Sequence, residues 1–199
     1  MIISRRFLLK ELSVKIILME ALKGKKVAAV IAFRGFRDPE YFIPVEVLKE
    51  AGAKVKTVSN KKGTAVGDDG GEASVDMLAG ETRVKDFDAV FFVGGPGMGD
   101  NLDNQEFQKL ARETLESGKV LGAICLAPAL LAKAGLLEGK RATVWYDYLD
   151  KGAIKILKEN GARFVDEDVV VEGRLVTASG PHAAEEFGRK LVDLLTAKR

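Results

Sequence analysis

One cysteine, one histidine and one tryptophan occur among 199 residues, and each scarcity excludes something. A lone cysteine forms no internal disulfide, so a reducing compartment is expected, by default the cytoplasm. One histidine with one cysteine falls short of a structural zinc ligand set, and no metal is expected. The net charge is +2, with acids and bases interleaved as in Lys85-Asp86-Phe87-Asp88. That surface offers no footprint for nucleic acid or for an acidic membrane, and neither is expected as a partner. No apolar run reaches the roughly 20 residues of a membrane span. Amides are confined to Asn60, Asn101, Asn104, Gln105, Gln108 and Asn160. With abundant Lys and Glu, this leans towards a heat-adapted source.

Three motifs are missing as well. GxxxxGK[ST] is absent, which excludes a P-loop, and so is the GxSxG elbow of serine hydrolases. A dinucleotide fingerprint would follow the first strand, where Arg34-Gly35-Phe36-Arg37 stands instead. No organic cofactor is expected.

The first residues need separate treatment. Ser4-Arg5-Arg6-Phe7-Leu8-Leu9-Lys10 resembles a twin-arginine signal, but Glu11, Lys15 and Glu20 leave the adjoining segment without an uncharged apolar core. Leu8, Leu12, Ile16 and Met19 recur at helical spacing and predict an amphipathic helix. Residues 1–24 are therefore read as a helical extension, with Met19 as an alternative start, and residues 25–199 as one domain.

From Lys25 onward strand-like and helix-like segments alternate. Buried strands are expected at Lys26–Phe33, Lys54–Val58, Asp88–Val93 and Lys119–Ile124, with a short one at Ala142–Trp145. Helices are expected from about Glu40 to Ala51, at Asn104–Ser117, to about Ala134, at Lys151–Asn160 and at Ala183–Lys198. Arg34–Glu40 reads as a loop, Gly63–Gly80 as a hairpin or flap, and Glu172-Gly173 as a tight hairpin turn. Strands this apolar have no water-facing side. The pattern predicts an α/β fold with a mostly parallel sheet covered on both faces.

Ligands of such sheets gather at the carboxyl ends of the strands, and three candidates fall there. Cys125 sits between a strand and a helix, a position expected to favour the thiolate. Gly94-Gly95-Pro96-Gly97 follows the Asp88–Val93 strand and reads either as a tight loop or as an oxyanion hole built from the Gly95 and Leu126 N–H groups. Glu40 by itself reads as an ordinary first-turn glutamate favoured by the helix dipole; if its carboxyl reaches Cys125, burial could hold it protonated and hydrogen-bonded to the thiolate. His182, the single histidine, reads as an exposed residue at the start of the last helix.

These segments together resemble the ThiJ/PfpI superfamily, which includes the parkinsonism-associated deglycase and archaeal intracellular proteases. Ala123-Ile124-Cys125-Leu126-Ala127-Pro128 resembles its cysteine elbow, and Glu40-Tyr41-Phe42-Ile43-Pro44 its E-x-x-x-P segment. Val93-Gly94-Gly95 is similar to its PGG loop, with Val93 replacing proline. Asp168–Thr177 and Gly180-Pro181 resemble its closing hairpin and helix. The resemblance implies a flavodoxin-like three-layer sandwich and a homo-oligomer, a dimer or an assembly of dimers. It also implies Cys125 as nucleophile, Glu40 as its partner, and Gly95 and Leu126 as oxyanion donors.

Two departures refine this. Protease-type members carry histidine just after the cysteine, where this chain has Leu126; deglycase types often carry one at about the position of Trp145. Gly94, Trp145 and His182 remain candidate pocket residues. The implied site is thus Cys–Glu, acting on small reactive carbonyls without a cofactor. A PfpI-type peptidase and a redox sensor are the alternatives. A glutamine amidotransferase is disfavoured, since His182-Ala183-Ala184-Glu185 lacks the H-x-E spacing.

Overall fold

A computed structural model describes residues 20–197. Of the helical extension expected over residues 1–24, residues 1–19 lie outside the described residues. Residues 20–24 form turns, and the Leu22 N–H reaches the Ala51 carbonyl at 2.7 Å.

The elements in chain order are β1 (Lys26–Val30), β2 (Arg34–Phe36), α1 (Asp38–Glu50), β3 (Lys54–Ser59), β4 (Thr64–Gly67), β5 (Glu72–Ser74) and β6 (Met77–Leu78). Then come β7 (Ala89–Phe92), α2 (Pro96–Gly99), α3 (Gln105–Glu116), β8 (Val120–Ile124), α4 (Ala127–Lys133) and β9 (Arg141–Ala142). The chain closes with α5 (Gly152–Glu159), β10 (Arg163–Phe164), β11 (Val169–Glu172), β12 (Leu175–Ala178) and α6 (Ala184–Thr196).

Seven strands form the central sheet in the order β11-β12-β8-β7-β1-β3-β6. All pair in parallel except β11, which runs antiparallel to β12 through the turn at Gly173. Strand alternation divides the core between two faces. Ala28, Val30, Val90, Phe92, Leu121 and Ala123 face Phe107 and Leu110 of α3 and Leu130 of α4. Val27, Ala29, Phe91 and Ile124 face Tyr41 and Leu48 of α1 and Phe187 and Leu191 of α6. Helices therefore cover both faces of the sheet, the three-layer sandwich expected. Each fully buried Phe or Leu stabilises the sandwich by about 1.5–3 kcal/mol.

Local signals set the boundaries. Asn104 caps α3, its Oδ1 accepting the N–H groups of Glu106 and Phe107 at 3.1 and 3.2 Å. Gly52 follows α1 with φ +95°, the left-handed conformation that ends helices.

Two expectations are corrected. Arg34–Phe36 is not a loop but β2, which joins β4 and β5 in a small separate sheet. The strand expected at Ala142–Trp145 shrinks to β9, which pairs only with β10. Trp145 instead donates its N–H to the Cys125 carbonyl at 2.9 Å.

Candidate active site at the Cys125 elbow

Cys125 follows the last residue of β8 with φ +62°, the only non-glycine residue with positive φ among the described residues. A side chain in that conformation costs roughly 1–2 kcal/mol. The main chain holds it on both sides: the Cys125 N–H donates to the Ala178 carbonyl at 2.8 Å, and its carbonyl accepts from Trp145. The turn aims the sulfur across the sheet edge towards α1, and Cys125 is 6% exposed.

Pro39 lies at the start of α1, where a missing N–H costs nothing, and it puts Glu40 in the first helical turn. Glu40 is fully buried. Its Oε2 accepts the Gly94 N–H at 3.1 Å. Oε1 is buried without a well-formed hydrogen bond, and the group facing the carboxyl is the Cys125 thiol.

Burial pushes the Glu40 carboxyl up from 4.5 to about 7, against the lowering effects of Cys125, the Gly94 N–H and the Arg37 charge. The thiol is pushed up as well, first by burial and then by the Glu40 charge, while the Gly95 and Leu126 N–H groups at the sulfur oppose the rise. This corrects the expectation of a thiolate favoured by a helix start. Desolvation outweighs the backbone N–H groups here. Once the first proton is lost, the pair shares the one that remains, as carboxylate with thiol or as carboxylic acid with thiolate. The second arrangement gives the sulfur three donors: Glu40 and the N–H groups of Gly95 and Leu126.

The glycine loop after β7 makes this proximity feasible. A Cβ on Gly94 would lie 2.5 Å from the Cys125 Cβ and 2.8 Å from Glu40 Oε2. Gly95 has φ +97°, and a Cβ there would meet the Arg37 nitrogen and the Gly35 carbonyl oxygen, each at 2.5 Å. The Gly94 carbonyl in turn accepts the Arg37 N–H at 3.2 Å, tying the loop to the start of α1.

Trp145 and His182 reach this centre less directly. Trp145 touches the elbow through its main chain, and its ring lies near Gly180 together with the His182 ring. His182 is exposed, as expected. Its Nε2 lies 2.9 Å from Asp168 Oδ1 and 3.2 Å from Ser179 Oγ. It is not among the groups that shift Cys125.

Arg37 and Asp68, which have no sequence motif, do act on the site. The Arg37 guanidinium pairs with Asp68 at 3.0 Å and Asp69 at 3.8 Å, and both Arg37 and Asp68 shift Glu40. Asp38, Asp68 and Asp69 bring carboxylate oxygens within 4.8 Å of one another. Asp38 spends both oxygens on the Asp69 and Gly71 N–H groups, at 3.0 and 2.6 Å. Arg37 already supplies positive charge to this cluster.

A three-layer sandwich with a strained cysteine at the carboxyl edge of a central strand, facing a buried glutamate, defines a cysteine-elbow α/β protein. The chain belongs to the DJ-1/PfpI family, whose model matches residues 25–194. It is 34% identical to protein/nucleic acid deglycase 2 of Escherichia coli over 177 residues, covering 87% of this chain and 99% of that one. It is 31% identical to deglycase PfpI of Pyrococcus furiosus over 160 residues, covering 80% and 93%. A solved ThiJ/PfpI domain protein from Brachyspira murdochii superposes with a TM-score of 0.84 at 32% identity, covering 89% and 99%.

The E. coli relative's name includes nucleic acid among its substrates. The expectation of no nucleic-acid partner rested on the net charge and the interleaving of acids and bases, and it conflicts with that name. Net charge reports attraction to the phosphate backbone and does not address an adduct carried on a base. No helix among the described residues is long and apolar enough to cross a membrane.

Proposed function

We propose that this chain is a cofactor-independent, cysteine-dependent enzyme of small reactive carbonyls, methylglyoxal-type aldehydes or the early adducts they form on amines. The observation that carries this reading is the Glu40 carboxyl facing the Cys125 thiol, with the Gly95 and Leu126 N–H groups at the same sulfur. In the arrangement of thiolate with carboxylic acid, the sulfur attacks the carbonyl carbon and the C=O π electrons move to oxygen. Gly95 and Leu126 steady that oxyanion, and Glu40 delivers its proton to give a hemithioacetal. The Glu40 carboxylate can then accept the proton on the carbon bearing sulfur and return it to the adjacent carbon, while the hydroxyl proton passes to the neighbouring carbonyl oxygen. For a 2-oxoaldehyde this gives a thioester, which water hydrolyses to a 2-hydroxy acid and the free thiol. No step requires an oxidant or a metal.

The deglycase names of the relatives support an enzyme of this family, and the cysteine chemistry goes one step beyond them. Consumption of methylglyoxal in metal-free buffer by wild type and Cys125→Ser tests it. Loss of turnover in the variant is expected, and full retention contradicts the mechanism. A homo-oligomer in the cytoplasm is the setting proposed, and sedimentation of the purified protein tests the assembly.

A second reading, a redox sensor, draws on a different observation. His182, the sole histidine, is engaged with Asp168 and Ser179, which leaves the pair without an imidazole base. Peroxide would oxidise the thiolate to sulfenate, and a second equivalent would give the sulfinate, held by the same donors. Mass spectrometry after mild peroxide tests this, and an unmodified Cys125 rejects it. The missing imidazole also counts against a peptidase, which cysteine-dependent peptide cleavage would reinstate.

A further inference from the structure

The two site residues belong to different layers. Cys125 ends a strand of the sheet, and Glu40 lies in the first turn of a helix on one face. Consecutive residues of α6 touch both supports. Phe187 is fully buried, and its Cζ fills a notch above Gly122 of β8, only 2.8 Å from where a Cβ would stand. Gly122 is three residues before Cys125. The ring also packs edge-on against Phe91 of β7, with centroids 5.9 Å apart.

Gly188, the next residue, meets α1. A Cβ there would lie 3.1 Å from both the Pro44 Cα and the Val47 Cβ. Pro44 stands inside α1, four residues after Glu40. Having no N–H, it gives the Glu40 carbonyl no hydrogen bond of the usual helical ladder. The helix at Glu40 therefore depends more on what packs against it than an unbroken helix would.

We infer that Phe187 and Gly188 are positioning residues, through which α6 sets the separation between the Glu40 carboxyl and the Cys125 sulfur. Phe187 seats the helix on the strand that carries the cysteine. Gly188 lets the helix that carries the glutamate approach to backbone contact. A shift of a few tenths of an ångström at Pro44 is carried one turn along α1, about 6 Å, to Glu40. The inference rests on the Cys–Glu reading of the site and on no particular substrate. The groups whose charge acts on Glu40 are Arg37 and Asp68, with the Cys125 thiol facing it. None lies on α6, so a substitution there reaches the pair through geometry.

The test is the rate of Cys125 alkylation by iodoacetamide against pH in wild type, Gly188→Ala, Phe187→Leu and Leu195→Ala. Alanine is favoured over glycine within a helix, which offsets the tight contact and keeps Gly188→Ala folded. Leu195 is buried further along the same helix, so Leu195→Ala loosens α6 without touching either seat. Gly188→Ala and Phe187→Leu are expected to move the pH midpoint by roughly half a unit or more. Leu195→Ala is expected to keep the wild-type profile. A wild-type profile in both seat variants, or an equal shift in Leu195→Ala, overturns the inference. If Gly188→Ala does not fold, Phe187→Leu decides. Shifted profiles in an enzyme that consumes no carbonyl would leave this inference standing and reject the proposed activity.

Discussion

The Gly94 N–H meets Glu40 Oε2 at 3.1 Å, and a side chain on Gly94 would occupy the space between that oxygen and the Cys125 Cβ. One residue thus holds the carboxyl and keeps clear the gap through which it faces the thiol. Gly94→Ala is expected to force the pair apart and to displace the pH profile of Cys125 alkylation from that of wild type. The added methyl overpacks a full site, so about 1–3 kcal/mol of stability goes with it. Thiol labelling alongside urea denaturation checks both, and an alanine variant labelled with the wild-type pH profile refutes this role.

Burial of Glu40 ties stability to pH. Its folded pKa, raised from 4.5 to about 7, means that between these values the native state keeps a proton the unfolded chain has released. The stabilisation linked to that proton is fully present below pH 4.5 and is lost as pH rises through 7. Its size is on the order of 3 kcal/mol. Glu40→Gln keeps the shape and does not titrate. The stability of wild type minus that of Glu40→Gln should therefore fall from pH 4.5 to 7 and level off above, by urea denaturation at each pH. A difference that rises over that range contradicts the burial argument.

The left-handed backbone at Cys125 strains any residue with a side chain. Cys125→Gly should relieve it and Cys125→Ala should not. Glycine is expected to be the more stable of the two by about 1 kcal/mol, the reverse of its usual ranking. Urea midpoints of the two variants decide this, and an alanine variant of higher stability would mean the elbow is relaxed.

Exposed His182, bonded to Asp168 and Ser179, stands outside the Cys–Glu exchange. His182→Ala is expected to leave the pH profile of Cys125 alkylation unchanged. Its stability should shift by less than about 1 kcal/mol, as for an exposed ion pair. A displaced pH midpoint in that variant would bring the histidine into the mechanism.

Much of this fold was legible because β1, β7 and β8 are apolar at nearly every position, which only a sheet covered on both faces accommodates. Arg34–Phe36 was not. It has one buried residue, and its partner strand begins nearly thirty residues later, so no local periodicity marks it. At the site, Cys125, Glu40 and Gly94 stood out through their places at strand ends and a helix start. The influence of Arg37 and Asp68 on Glu40 did not, because it depends on where the β4–β5 turn falls in space. How easily Cys125 ionises is hidden from the sequence for a similar reason. A helix start can be read from local residues, whereas burial of the sulfur is a property of the assembled core.

The pH dependence of Cys125 alkylation in wild type and Glu40→Gln tests the shared-proton pair most directly. Wild type should rise through a midpoint near 7, where the pair loses its first proton, and then level off. Glu40→Gln should lack that step and leave a lone buried thiol that ionises only at higher pH. A midpoint near 7 in both proteins would contradict the pairing of Glu40 with Cys125.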